Sequence, residues 1–148
     1  MSKEASKGES LEGLVMEYRL LQSLSADLQQ RMALLSAILN ELQAAINTIE
    51  GAEKMGEGAE VLIPIGGSSY LKARLAHGEK VIVGVGASVA VEKSLGEARK
   101  FFEERMSEVS QALASVQSQL ESVALRMSQI EPKIREALEA AEAKRKAK

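Results

Sequence analysis

Apolar residues recur in steps of three and four along both ends of this chain, and a 3.5-residue period has one good structural solution. It makes a helix whose narrow apolar stripe must face another helix. From the N-terminal side, Leu11, Tyr18, Met32, Leu39 and Ile46 occupy heptad position a. Leu14, Leu21, Leu28, Leu35, Leu42 and Ile49 occupy position d, and only Ser25 interrupts the seam. Beyond residue 94 the pattern returns at Phe102, Met106, Val109, Leu113, Val116, Leu120, Val123, Met127, Ile130, Ile134, Ala137 and Ala141. Each stripe covers about 40 residues, or roughly 60 Å at the rise of an α-helix. Matched lengths predict that the chain reverses and pairs the two stripes antiparallel, with Ile49 near Phe102 and Leu14 near Ala137. An aromatic content of 3 % and the lack of tryptophan agree with extended helices rather than a large compact core.

Breaks and caps set the expected segments. A polar, disordered stretch is expected over residues 1–9 and a coiled-coil helix over 10–50, ended by Gly51. The glycine-containing run GAEKMGEGAE gives a linker over 51–59. The second coiled-coil helix takes 94–148, with Ser94 and Glu97 at capping-box spacing and Lys144, Arg145, Lys146 and Lys148 near its C-terminal end. Pro132 lies on its outer face, where the missing N–H is expected to kink the arm.

Between the arms, over 60–93, the period falls from 3.5 to 2. Val61, Ile63 and Ile65 alternate before a turn at Gly66 and Gly67, and SSYLKARL returns with Leu71, Ala73 and Leu75 on one side. After AHGEK, Val81, Val83 and Val85 alternate again, Gly86 and Ala87 turn the chain, and Val89 and Val91 form a fourth strand. The fold class is therefore α+β: a long antiparallel coiled-coil hairpin carrying two central β-hairpins. Isolated hairpins are marginal in water, so these are expected to join other copies edge to edge.

Charge and chemistry exclude more than they select. The formal net charge of −2 gives no overall attraction to nucleic acid or to an anionic membrane. With no cysteine and only His77, disulfide, thiol and nearly all zinc chemistry is absent. GVGASV lacks the third glycine and the βαβ context of a dinucleotide loop, and IGGSS lacks the Lys-Ser/Thr ending of a phosphate loop. The glutamates at 97, 103, 104 and 108 alternate with basic residues, as on a solvated helix face. No cofactor, metal or catalytic group is expected, and the chain is not read as an enzyme. The N-terminus lacks an apolar signal stretch, and no run approaches the roughly 18 apolar residues of a membrane span, so a cytoplasmic protein is expected.

The strings VLIPIG (61–66), SSYLKA (68–73) and KVIVGVGASVAVEKS (80–94), set between two heptad arms, resemble a prefoldin subunit, and two hairpins rather than one resemble the alpha class. That resemblance implies a hexamer of two alpha and four beta subunits, its hairpins joined into a double barrel from which coiled coils project. It implies an ATP-independent holdase that captures non-native polypeptides and passes them to a group II chaperonin. Val61, Ile63, Ile65, Val81, Val83, Val85, Val89 and Val91 match the hairpin motifs and would serve oligomerisation. A filament-forming structural protein, as in the homo-oligomeric branch of the family, is the competing expectation.

Binding of non-native chains is argued from the arms themselves. A two-stranded coil needs only positions a and d, yet Val15 and Leu138 fall at e, Leu24 and Ile38 at g, Leu20 and Leu34 at c, and Leu125 at f. Near the free end Leu11, Leu14, Val15, Ile134 and Leu138 form a cluster that no flanking domain covers, and this cluster is the expected client-binding site.

Overall fold

The computed structural model describes residues 10–76 and 80–147, so the expectations for residues 1–9 and His77 lie outside it. In chain order the elements are α1 (Leu11–Met55), β1 (Glu60–Gly66), β2 (Ser69–Arg74), β3 (Lys80–Gly86), β4 (Val89–Ser94) and α2 (Leu95–Ala147). Two compact units can be distinguished: one of residues up to Ser36 together with those from Ala112, the other of Ala37–Gln111.

In the first unit the start of α1 is capped by Ser10, whose Oγ accepts the Gly13 N–H at 3.0 Å while its carbonyl accepts the Leu14 N–H. Its seam is filled as the heptads require. Leu28, Val116 and Val123 are buried together, with Leu21, Met32, Leu35, Leu120 and Met127 packed against them. Glu17 meets Arg126, and the later Leu28 meets the earlier Val116, so the helices run antiparallel in this unit. The helix continues through Pro132, because a proline on an exposed face forfeits one hydrogen bond without disturbing the seam.

In the second unit, α1 does not stop at Gly51. It runs on to Met55, since one glycine costs only about 1 kcal/mol in a helix already held by packing. The stop is Gly56, at φ 78°, whose N–H reaches the Ala52 carbonyl at 3.1 Å. That is the left-handed C-terminal cap that a β-carbon disfavours. Ser94 Oγ accepts the Glu97 N–H at 3.1 Å and so starts α2 as the capping-box spacing requires. Ile49, Val83 and Ala98 form the buried cluster, with Val81, Leu95, Phe101 and Phe102 against it, which places Ile49 and Phe102 in one cluster as the antiparallel pairing demands.

β1 pairs with β2 and β3 with β4, each pair antiparallel and each its own two-stranded sheet. The registers repeat at an offset of 20 residues: Glu60 opposite Arg74 matches Lys80 opposite Ser94, and Ile63 opposite Leu71 matches Val83 opposite Val91. Ile65 and Val85 occupy matching bulges. The turns fall one residue later than the glycines suggest. Their central residues are Gly67–Ser68 and Ala87–Ser88, all at φ between 50° and 61°, as in a type I′ hairpin.

Candidate functional site

No polar or charged side chain is buried among the described residues, and no cluster of three potential metal ligands occurs among them. What the chain offers instead is apolar surface, distributed over two places.

The first place is the hairpins. Both are built alike, yet their equivalent residues meet different surroundings. Val83 is 1 % exposed because it packs on Ile49 and Ala98, whereas its counterpart Ile63 is 45 % exposed. Ile65, Leu71, Val85, Val89 and Val91 are likewise exposed, and Val61 and Val81 are half-buried. Of the eight residues expected to serve oligomerisation, Val83 is therefore corrected: its side chain ties the second hairpin to the helices of its own chain. The remaining seven keep some apolar surface outward. Leu62 and Tyr70 are exposed on the other face of the first hairpin, so that hairpin presents apolar side chains on both of its faces.

The second place is the unit built from the start of α1 and the end of α2. Leu11, Val15 and Ile134 are half-buried and Leu138 is 50 % exposed. Val15 and Ile134 line one shallow groove with Tyr18, Arg19, Gln22 and Glu131, and Leu11 and Val15 line a second with Met16. Leu14 does not share this exposure. It sits at position d and is 4 % exposed, so it belongs to the seam rather than to a surface cluster. Sequence reasoning also passed over Met16, which is 66 % exposed at heptad position f. The spacing signal was present, since Met16, Leu20 and Leu24 lie four residues apart.

Electrostatics brace this unit without creating a reactive centre. Arg126 donates to both carboxylate oxygens of Glu17, Nε to Oε1 at 2.7 Å and Nη2 to Oε2 at 3.2 Å. These hydrogen bonds, helped by the positive charges of Arg126 and Lys133, hold the Glu17 carboxyl below its ordinary value of 4.5. In the other unit Arg99 reaches Glu53 at 3.1 Å, and Lys93 lies 5.5 Å from the Phe101 ring.

Apolar residues on two sides make α1 unusually hydrophobic. An 18-residue window within it averages a mean hydropathy of 1.2, enough by length and composition for a membrane span, although no uninterrupted apolar run of that length occurs in it. The polar residues interspersed through the helix hide this from a search for runs. The seam residues account for much of the apolar content, because they are placed against α2.

Comparison with known proteins points one way. A family model described as prefoldin subunit matches residues 21–140. A protein named prefoldin subunit alpha from Thermofilum pendens is 32 % identical over 127 residues, covering 86 % of this chain and 98 % of that protein. Another of that name, from Pyrococcus horikoshii, is 35 % identical over 133 residues, covering 89 % and 90 %. Among solved structures, filamentous PFD from Methanocaldococcus jannaschii, determined by cryo-EM, aligns with a TM-score of 0.66 at 20 % identity, over 78 % of this chain and 95 % of that one. That last likeness concerns the fold.

Proposed function

The chain belongs to the prefoldin family, in its alpha class, and from that premise we propose that it is one subunit of an ATP-independent holdase of the cytoplasm. In this reading it holds non-native polypeptides on the arm ends and releases them to a group II chaperonin. Its hairpins recruit beta-class subunits, giving a hexamer of two alpha and four beta chains.

One observation carries the proposal: the helix seam is filled by its own residues, yet large apolar side chains remain exposed beside it. Surface of this kind has no use in a self-sufficient hairpin and suits transient apolar contact. Each contact is worth about 1–2 kcal/mol before ordering costs, so one arm holds weakly and releases fast. Several arms around one client multiply the hold by avidity while leaving each contact brief.

The test is a client-aggregation assay on the assembled complex. Changing Leu11 and Leu138 to Ser should leave the assembled mass unchanged and reduce suppression of light scattering severalfold. Full suppression by that variant would refute the placement of the client. A filamentous assembly is the second reading, favoured by the likeness in fold to the filamentous PFD of Methanocaldococcus jannaschii. It requires an open-ended series of masses from this chain alone, whereas the hexamer requires a beta-class partner.

A further inference from the structure

Besides Leu34 and Met55, the large apolar residues exposed on α1 lie together. Met16, Leu20 and Leu24 form an oblique row, 66 %, 67 % and 45 % exposed, that starts on the face opposite the Leu14, Leu21 and Leu28 seam and winds to its flank at Leu24. Residues four apart on a helix lie one above the other, so the row advances about 6 Å per step. It is one residue wide. Glu17, engaged by Arg126, borders it on one side and Glu12 and Ser23 on the other, and Asp27 with Arg31 closes its end.

We infer that this row is a rail for extended polypeptide segments with apolar side chains at alternate positions. In a β-strand, residues two apart point to the same side and are separated by about 6.6 Å. Three such side chains meet Met16, Leu20 and Leu24 with an accumulated mismatch of only about 1 Å. A bound helix needs the two-row a and d pattern, and here its second row would desolvate Glu12, Glu17 or Ser23. A second copy of the chain is too large an occupant. Three side chains offer a few hundred Å² at most, well short of the roughly 800 Å² per partner of a stable interface. The polar residues 1–9 lack the alternating apolar side chains to fill it. The inference deepens the holdase reading: it names the class of client segment and a surface that meets the Leu11 groove only at Met16 and continues beyond it through Leu20 and Leu24.

Two labelled nonapeptides of identical composition test it on the full-length chain by fluorescence anisotropy. One alternates leucine and serine; the other spaces its leucines three and four apart. The alternating peptide should bind at least severalfold more tightly, and Leu20→Ser with Leu24→Ser should weaken it about tenfold with helical circular dichroism unchanged. Leu138→Ser should not reduce that preference. Equal binding of both peptides, preference for the helical spacing, or indifference to the Leu20 and Leu24 changes would overturn the rail. If the peptide preference holds while the Leu11 and Leu138 variant still suppresses aggregation fully, the arm-end reading fails and the rail stands.

Discussion

Glu17 and Arg126 join α1 to α2 through two hydrogen bonds, one to each carboxylate oxygen, the bidentate pairing that favours a guanidinium with a carboxylate. Because the folded pKa of Glu17 lies below its ordinary 4.5, the pair's contribution is complete above that pH. It is lost as the pH falls through the depressed value. Thermal melting recorded from pH 7 to pH 3 should show a steeper acid loss for the natural chain than for Glu17→Gln; parallel curves would deny the pair any role. This partnership was not legible in the sequence, since residues 17 and 126 stand in no motif and only the helix register brings them together. The same holds for Val83. Its alternation with Val81 and Val85 looks like any assembly strand, and only the contact with Ala98 reveals that it faces its own helix.

Heptads, by contrast, were readable as elements. Every a and d position from Leu11 to Ile49 is buried or half-buried, Ser25 included, because a 3.5 period admits no other inward face. The end of α1 was misread because a glycine signals a stop only where the backbone turns left-handed. Gly51 stays helical, with nothing within 4 Å of where a β-carbon would sit; Gly56 has open space too, but at φ 78°. The two glycines should therefore respond with opposite sign. Gly51→Ala is expected to stabilise by about 0.5–1 kcal/mol, and Gly56→Ala to destabilise by roughly 1 kcal/mol. Urea denaturation of the two variants decides it, and a shared sign would show that α1 ends elsewhere.

At the scale of the molecule, the contrast between the hairpins is the feature to test. The second is anchored through Val83, whereas its counterpart Ile63 in the first is exposed; the pairs Ile65 and Val85, and Leu71 and Val91, are exposed in both. Changing Ile63 and Leu71 to Lys should abolish assembly with a beta-class subunit in native mass spectrometry while the helices still fold. Assembly at full mass would show that the first hairpin is not the recruiting surface. That two hairpins exist followed from the period-2 pattern and the turn residues. Which of them packs on the chain's own helices did not, because Ile63 and Val83 stand at matching places in the same alternation.

The 20-residue offset between the hairpins has an evolutionary corollary. Removing 20 residues from anywhere within the repeated stretch leaves one complete hairpin of unchanged register, because each residue is then followed by the counterpart of its natural successor. Loss of residues 67–86, for example, joins Gly66 to Ala87 and leaves a single ribbon closed by Ala87–Ser88, its pairing intact. One in-frame deletion is then enough to convert a two-hairpin chain into a one-hairpin chain, and the reverse duplication enough to restore it.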